Sequence, residues 1–168
     1  KGLEVIEAKW LFDLRPDQID VVVHHQSVVH SIVQFIDGSM KAQMGLPDMK
    51  LPIQYALAYP ERIASKFPRF SFLDYPELTF AQPDRNIFRN LALAFEAMKK
   101  GGNLPCIMNA ANEVAVEEFL KGKIKFLQIP EIIEQTMASV GFISAPDYED
   151  LVATNTSSKA YVKKMFFN

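Results

Sequence analysis

Residues 28–45, VVHSIVQFIDGSMKAQMG, decide how the chain is read. Two runs mixing β-branched, apolar and polar residues, 28–36 and 39–45, are separated by Asp37-Gly38, and Asp-Gly between such runs signals a tight hairpin. Just upstream, IDVVVH at 19–24 is β-branched and almost continuously apolar, as a strand buried on both faces would be. At least three strands are therefore expected, enough to form a sheet face that a helix or a second subunit can cover.

Working outward, LEVIEAKWLF at 3–12 sets Leu3, Ile6 and Trp10, with Val5 and Phe12, on broad apolar flanks and Glu4 and Glu7 on another side. This predicts a helix, ended by Arg15 and Pro16. It begins abruptly at Lys1-Gly2 without an N-cap residue, so the natural chain is expected to continue upstream. On the other side of the hairpin, 51–59 reads as a short helix with Pro52 in its first turn and Pro60 as its stop. Residues 60–84 combine four prolines with Phe67, Phe70, Phe72, Tyr75 and Phe80, which is too proline-rich for regular structure and too aromatic for a loose linker. A linker packed across the surface is expected.

After Pro83 only helices are predicted, over 85–100, 105–120, 130–140 and 147–166. Lys99, Lys100 and Gly101 close the first, and Pro130-Glu131 open the third. The fourth is weakened by Thr154, Asn155, Thr156 and Ser157 and reads as one piece or two. Four helices with short connections make a bundle. The expected fold class is thus α+β: a mixed part with a small sheet or hairpin over 1–59, a packed linker over 60–84, and a four-helix-bundle-like domain over 85–168.

With 49% hydrophobic and 23% charged residues the composition is that of packed globular protein, and a net charge of −2 supplies no basic field for nucleic acid. The single cysteine, Cys106, excludes an intrachain disulfide and suits a reducing compartment, read as the cytoplasm. No apolar run is long enough to span a bilayer.

Several side chains carry possible chemistry. Glu4 and Glu7, one turn apart, serve either as oxygen ligands to a hard divalent ion or as exposed helix charges favoured by the dipole, and two carboxylates alone do not make a metal site. Lys1 beside Gly2 at a helix start either holds a phosphate or is a solvated terminal lysine; one lysine and one glycine lack the spacing of a phosphate loop. His24, His25 and His30 invite a zinc reading, against which stand the lack of a nearby cysteine and their place at a strand end. Cys106 has no histidine on its helix to act as base and reads as a packed small residue. Asn109 and Asn112, poor mid-helix residues, are assigned an architectural role.

Taken together and in order, KGLEVIEAKWLF, HHQSVVHSIV, DGSMKAQMGLPDMKLPI, LTFAQPD and NAANEVAVEEFL closely resemble the C-terminal part of the 1-deoxy-D-xylulose 5-phosphate reductoisomerase family, over nearly the whole chain. The resemblance implies an NADPH-dependent enzyme that uses a divalent metal (magnesium, manganese or cobalt). It would rearrange a ketose phosphate and reduce the resulting aldehyde in non-mevalonate isoprenoid synthesis. Lys1 matches the family's substrate-binding lysine, toward the phosphate, and Glu4 the glutamate that ligates the metal and touches substrate. Residues 1–59 would then be the remainder of an α/β catalytic domain, with the strands helping to form a homodimer and 46–49 lying near the active site. The family's asparagine before Lys1, its upstream Asp-x-Glu, its lid and its dinucleotide-binding domain are not in this sequence, so no cofactor site is expected in the chain and the isolated piece is expected to be inactive. The family often has proline where His25 stands. The competing reading is a non-enzymatic module in which the strands dimerise and the helices bind a partner.

Overall fold

The structure is a computed structural model that describes residues 1–167. In chain order its elements are α1 (Gly2–Leu11), a 3₁₀ turn (Pro16–Gln18), β1 (Val29–Gln34), β2 (Met40–Met44), α2 (Lys50–Ala58), α3 (Arg89–Lys100), α4 (Leu104–Leu120), α5 (Gln128–Ser139) and α6 (Tyr148–Phe166). This is the expected α+β class. Packing groups the chain into two compact units: Lys1–Asp20 together with the chain from Asp84 onward, and Val21–Pro83. The first twenty residues thus group with the helices instead of with 21–59, because α1 packs on α3. The last residue of the expected helical domain, Asn168, lies outside the described residues.

In the helical unit α4 is the central element and packs against α3, α5 and α6. Ile107, Ala110, Ala111 and Ala115 on it are fully buried; alanine at three of these positions lets neighbouring helices approach closely while adding little side-chain entropy cost. Leu93 from α3, Ile133 from α5 and Val162 from α6 complete the core, and α1 contributes Val5. The expected apolar flanks of α1 are mostly not buried: Trp10 and Phe12 are exposed.

One expectation for the helices changes and one left open is decided. The helix predicted from residue 85 begins at Arg89, because Asp84 first closes a turn, its Oδ1 accepting from the amides of Asn86 and Ile87 at 2.8 and 3.3 Å. The last helix is one piece. Its polar middle is absorbed by back-bonding: Thr156 Oγ1 donates to the Val152 carbonyl at 2.9 Å and Ser157 Oγ to that of Thr154 at 3.1 Å.

In the second unit the hairpin forms where Asp37-Gly38 places it. Gly38 N donates to the Phe35 carbonyl at 2.9 Å, Gly38 takes φ 85°, and Asp37 Oδ1 accepts from the amide and hydroxyl of Ser39. A left-handed residue at that place closes a three-residue hairpin loop, and glycine adopts it without a Cβ penalty. The antiparallel register runs from Val29↔Met44 to Gln34↔Met40 with an irregularity between Val29 and Ser31, which makes His30 the extra residue of a bulge.

The strand expected at 19–24 does not form. Among the described residues the sheet has two strands, and the upstream segment contributes a single bridge, Val23 with Ala81. The facing segment continues the contact through side chains instead of a ladder: the His24 ring stacks on Phe80 at 4.5 Å and shares a hydrogen bond with the Thr79 carbonyl at 2.8 Å. Val22 is about half exposed, contrary to a strand buried on both faces. Residues 60–83 lack regular structure apart from turns, as expected, and Phe70 packs edge-on to Phe72 at 4.8 Å and against Tyr75 at 5.4 Å.

Candidate functional site at the start of the first helix

The two residues singled out as ligands stand together on the first turn of α1. Lys1 Nζ donates to Glu4 Oε2 at 2.6 Å, and both side chains are exposed, at 66% and 59%. The hydrogen bond from Lys1 holds the Glu4 carboxyl below its usual range, with the lysine charge acting in the same direction and partial burial opposing it. Glu4 is therefore an ionised, outward-facing oxygen donor, the form a hard cation requires. The bond between two exposed side chains is a weak one, readily exchanged for a ligand on either partner.

The turn that carries this pair is seated on α3. A Cβ built on Gly2 would lie 3.0 Å from Ala94 Cβ and 3.1 Å from the Asn90 carbonyl oxygen. Val5, one turn further on, is buried on the same side. The sequence reading did not single out Gly2 for this. The available signal was a poor helix former inside the first turn, where no turn geometry asks for glycine.

Other candidates resolve into packing. Glu7 is exposed on α1 and is not drawn to the Lys1–Glu4 pair. His24 is occupied by Phe80 and Thr79, and the described residues contain no group of three or more His, Cys, Asp or Glu able to hold a metal. Cys106 lies against the Leu151 carbonyl, Sγ to O 3.4 Å, and burial pushes its thiol pKa up, so it stays protonated. Asn109 Nδ2 donates to Glu113 Oε1 at 2.9 Å, and Glu113 Oε2 meets Lys159 of α6 at 2.5 Å, an architectural tie between two helices.

The donor set of this chain thus fits one edge of a divalent-metal and anion site, a single carboxylate with an adjacent ammonium, and nothing more complete. Comparison with known proteins gives this edge its context. The 1-deoxy-D-xylulose 5-phosphate reductoisomerase of Phocaeicola vulgatus is 61% identical over 159 residues, covering 95% of this chain and 42% of that protein. The one from Desulforamulus reducens is 49% identical over 168 residues, covering 100% of this chain and 43% of its own length. Among solved structures, the Zymomonas mobilis 1-deoxy-D-xylulose 5-phosphate reductoisomerase in complex with NADPH superposes with a TM-score of 0.89 at 39% identity, over 99% of this chain and 44% of that one. A DOX-P reductoisomerase in complex with NADPH, fosmidomycin and magnesium superposes with a TM-score of 0.87 at 40% identity, over 97% of this chain and 42% of that one. The chain therefore spans about two fifths of the length of the curated relatives it matches. Its residues 44–161 match the family described as DXP reductoisomerase C-terminal domain, and the chain belongs to that family.

Proposed function

We propose that this chain is the metal-edge and C-terminal helical part of an NADPH- and divalent-metal-dependent reductoisomerase that converts 1-deoxy-D-xylulose 5-phosphate to 2-C-methyl-D-erythritol 4-phosphate. The observation that carries the reading is the exposed Lys1–Glu4 pair at the head of α1, on a chain whose relatives bear that name over nearly its full length.

Glu4 offers one carboxylate oxygen to the ion, and Lys1 offers an ammonium to the substrate phosphate. When bound, the ion polarises substrate oxygens as a Lewis acid and NADPH supplies the hydride. Lys1 acts at a distance from the reacting carbons: its hold on the phosphate keeps the rest of the sugar in register. The positive end of α1 reinforces the same preference for an anion. A carboxylate oxygen accepts magnesium, manganese or cobalt alike. On this reading the remaining ligands and the dinucleotide site lie in the part of the relatives' length that this chain does not span, and the chain alone is expected to be inactive.

The proposal extends to a homodimer formed through the β1–β2 hairpin, whose Ile32, Val33 and Ile36 are exposed apolar side chains on a short two-stranded sheet. We place the enzyme in the cytoplasm on the strength of the single thiol in this chain; among the described residues no helix is long and apolar enough to cross a membrane. Replacing Glu4 by Gln in the full-length protein tests the function directly. The expected result is loss of metal-dependent NADPH consumption with the ketose phosphate. Turnover at the wild-type rate would overturn the assignment and favour a non-enzymatic interaction module.

A further inference from the structure

Gly2 sits in an α-helical conformation, and it is not among the glycines with positive φ. Backbone freedom therefore does not explain it. Gly38, Gly101 and Gly122 have positive φ and open space where a Cβ would stand, while Gly102 has both positive φ and crowding. Among the described residues Gly2 is the glycine whose requirement is close approach alone. The atoms it meets would have to give by a few tenths of an ångström, and neither is the end of a flexible side chain: Ala94 Cβ is fixed to a fully buried position of α3, and the Asn90 oxygen is main chain of the same helix. Met108 Cε, at 3.6 Å, is an ordinary contact on a flexible side chain. Val5 holds α1 down one turn further on, so a Cβ at residue 2 would lift the first turn about that anchor. Lys1 and Glu4 ride on the lifted turn.

We propose that Gly2 is a positioning residue, whose missing side chain seats the first turn of α1 on Asn90 and Ala94 and thereby sets where the Glu4 carboxylate and the Lys1 ammonium meet their ligands. This rests on the reading of Glu4 as a metal ligand and Lys1 as a phosphate ligand. Small shifts matter because magnesium demands near-ideal coordination geometry and because reacting groups misplaced by a fraction of an ångström lose rate.

The test is made on the full-length protein with magnesium alone, by calorimetric titration, and then with the ketose phosphate. Gly2→Ala is expected to weaken magnesium binding by roughly tenfold and to raise KM for the phosphate substrate. Gly2→Ala combined with Ala94→Gly, which removes the nearer of the two obstructing atoms and leaves the Asn90 oxygen in place, is expected to recover part of the lost magnesium affinity, with Ala94→Gly alone as the reference for that recovery. Wild-type magnesium affinity in Gly2→Ala overturns the proposal, as does a folded double variant that recovers nothing. A purely structural glycine would lower the melting temperature without moving magnesium affinity. Should the single variant not fold, the double variant is read against Ala94→Gly: weaker magnesium binding in the double variant supports the seat, and equal binding overturns it. Glu4→Gln separates the two ideas: if it abolishes magnesium binding while Gly2→Ala does not weaken it, only the positioning role falls; if Glu4→Gln leaves magnesium binding intact, the site reading falls and the positioning role with it.

Discussion

Asn103 is fully buried and uses both ends of its amide. Nδ2 donates to the Gly141 carbonyl at 3.0 Å and to Thr154 Oγ1 at 3.1 Å, Oδ1 accepts from Ile143 N at 2.9 Å, and its own amide donates to the Ile143 carbonyl at 3.0 Å. One side chain thereby ties the start of α4 to the α5–α6 connection and to α6. Removing it leaves the half-buried Ile143 amide and the buried Thr154 hydroxyl without these bonds, so Asn103→Ala is expected to cost about 1–3 kcal/mol of folding stability, read from denaturant titration. Asn103→Asp, which keeps the acceptor and loses both side-chain donors, is expected to destabilise as well. Nothing in GGNLP marked this residue, because its partners at 141, 143 and 154 are remote in sequence and a hydrogen-bond bracket leaves no periodic trace. Asn109 and Asn112 attracted notice because they interrupt a periodic pattern. Glu118 adds a pH response. It is nearly buried, with Lys121 at 2.9 Å and Lys123 at 2.6 Å, and hydrogen bonds from Lys123 first and Lys121 second hold its pKa below the ordinary 4.5. A depressed carboxylate contributes stability that is present above the unfolded value and lost as pH falls through the folded one. Melting temperature followed from pH 5.5 downward is expected to drop over that window, with a shallower step in Glu118→Gln.

The elements that were legible carried their own punctuation. The hairpin was fixed by Asp37-Gly38, α3 was stopped at Lys99-Lys100-Gly101, and α6 was opened by Asp147, whose side chain accepts from Asp150 N at 2.8 Å while Asp150 Oδ2 accepts from Asp147 N at 3.2 Å. Asp147→Ala should therefore cost about 0.5–2 kcal/mol, measured as a shift in the denaturant midpoint. The strand at 19–24 was not legible, since β-branched composition states what a segment tolerates and not whether a partner lies alongside. Only Ala81 answers it. The continuity of α6 was hidden for the opposite reason: Thr156 and Ser157 look like breakers until their hydroxyls are seen bonded to preceding carbonyls. Lys1 and Glu4 were candidates by residue type, but what raised them above the bland alternatives was the resemblance of whole segments, because a lysine and a glutamate three residues apart are ordinary on any helix.

At the scale of the molecule, burial is unevenly shared. Among the described residues, Val28 is the one buried apolar residue of the Val21–Pro83 unit, and the rest lie in the helical unit. Opening free energy follows local packing, so amide exchange is expected to be slowest on α4 around Ile107–Ala115 and fastest across β1, β2 and the 60–83 segment, as hydrogen-exchange mass spectrometry will read. Uniform protection across both units would contradict this. Because α1 finds its seat on Asn90 and Ala94, the helical unit is discontinuous along the chain, with the 21–83 unit carried between its two parts. Its assembly therefore has an order in time. At a synthesis rate of ~5–20 residues per second, roughly 5–20 s separate the emergence of the first turn from that of the helix it rests on. During that interval Lys1 and Glu4 have no fixed address, and the pair takes its place only after the whole 21–83 unit has emerged.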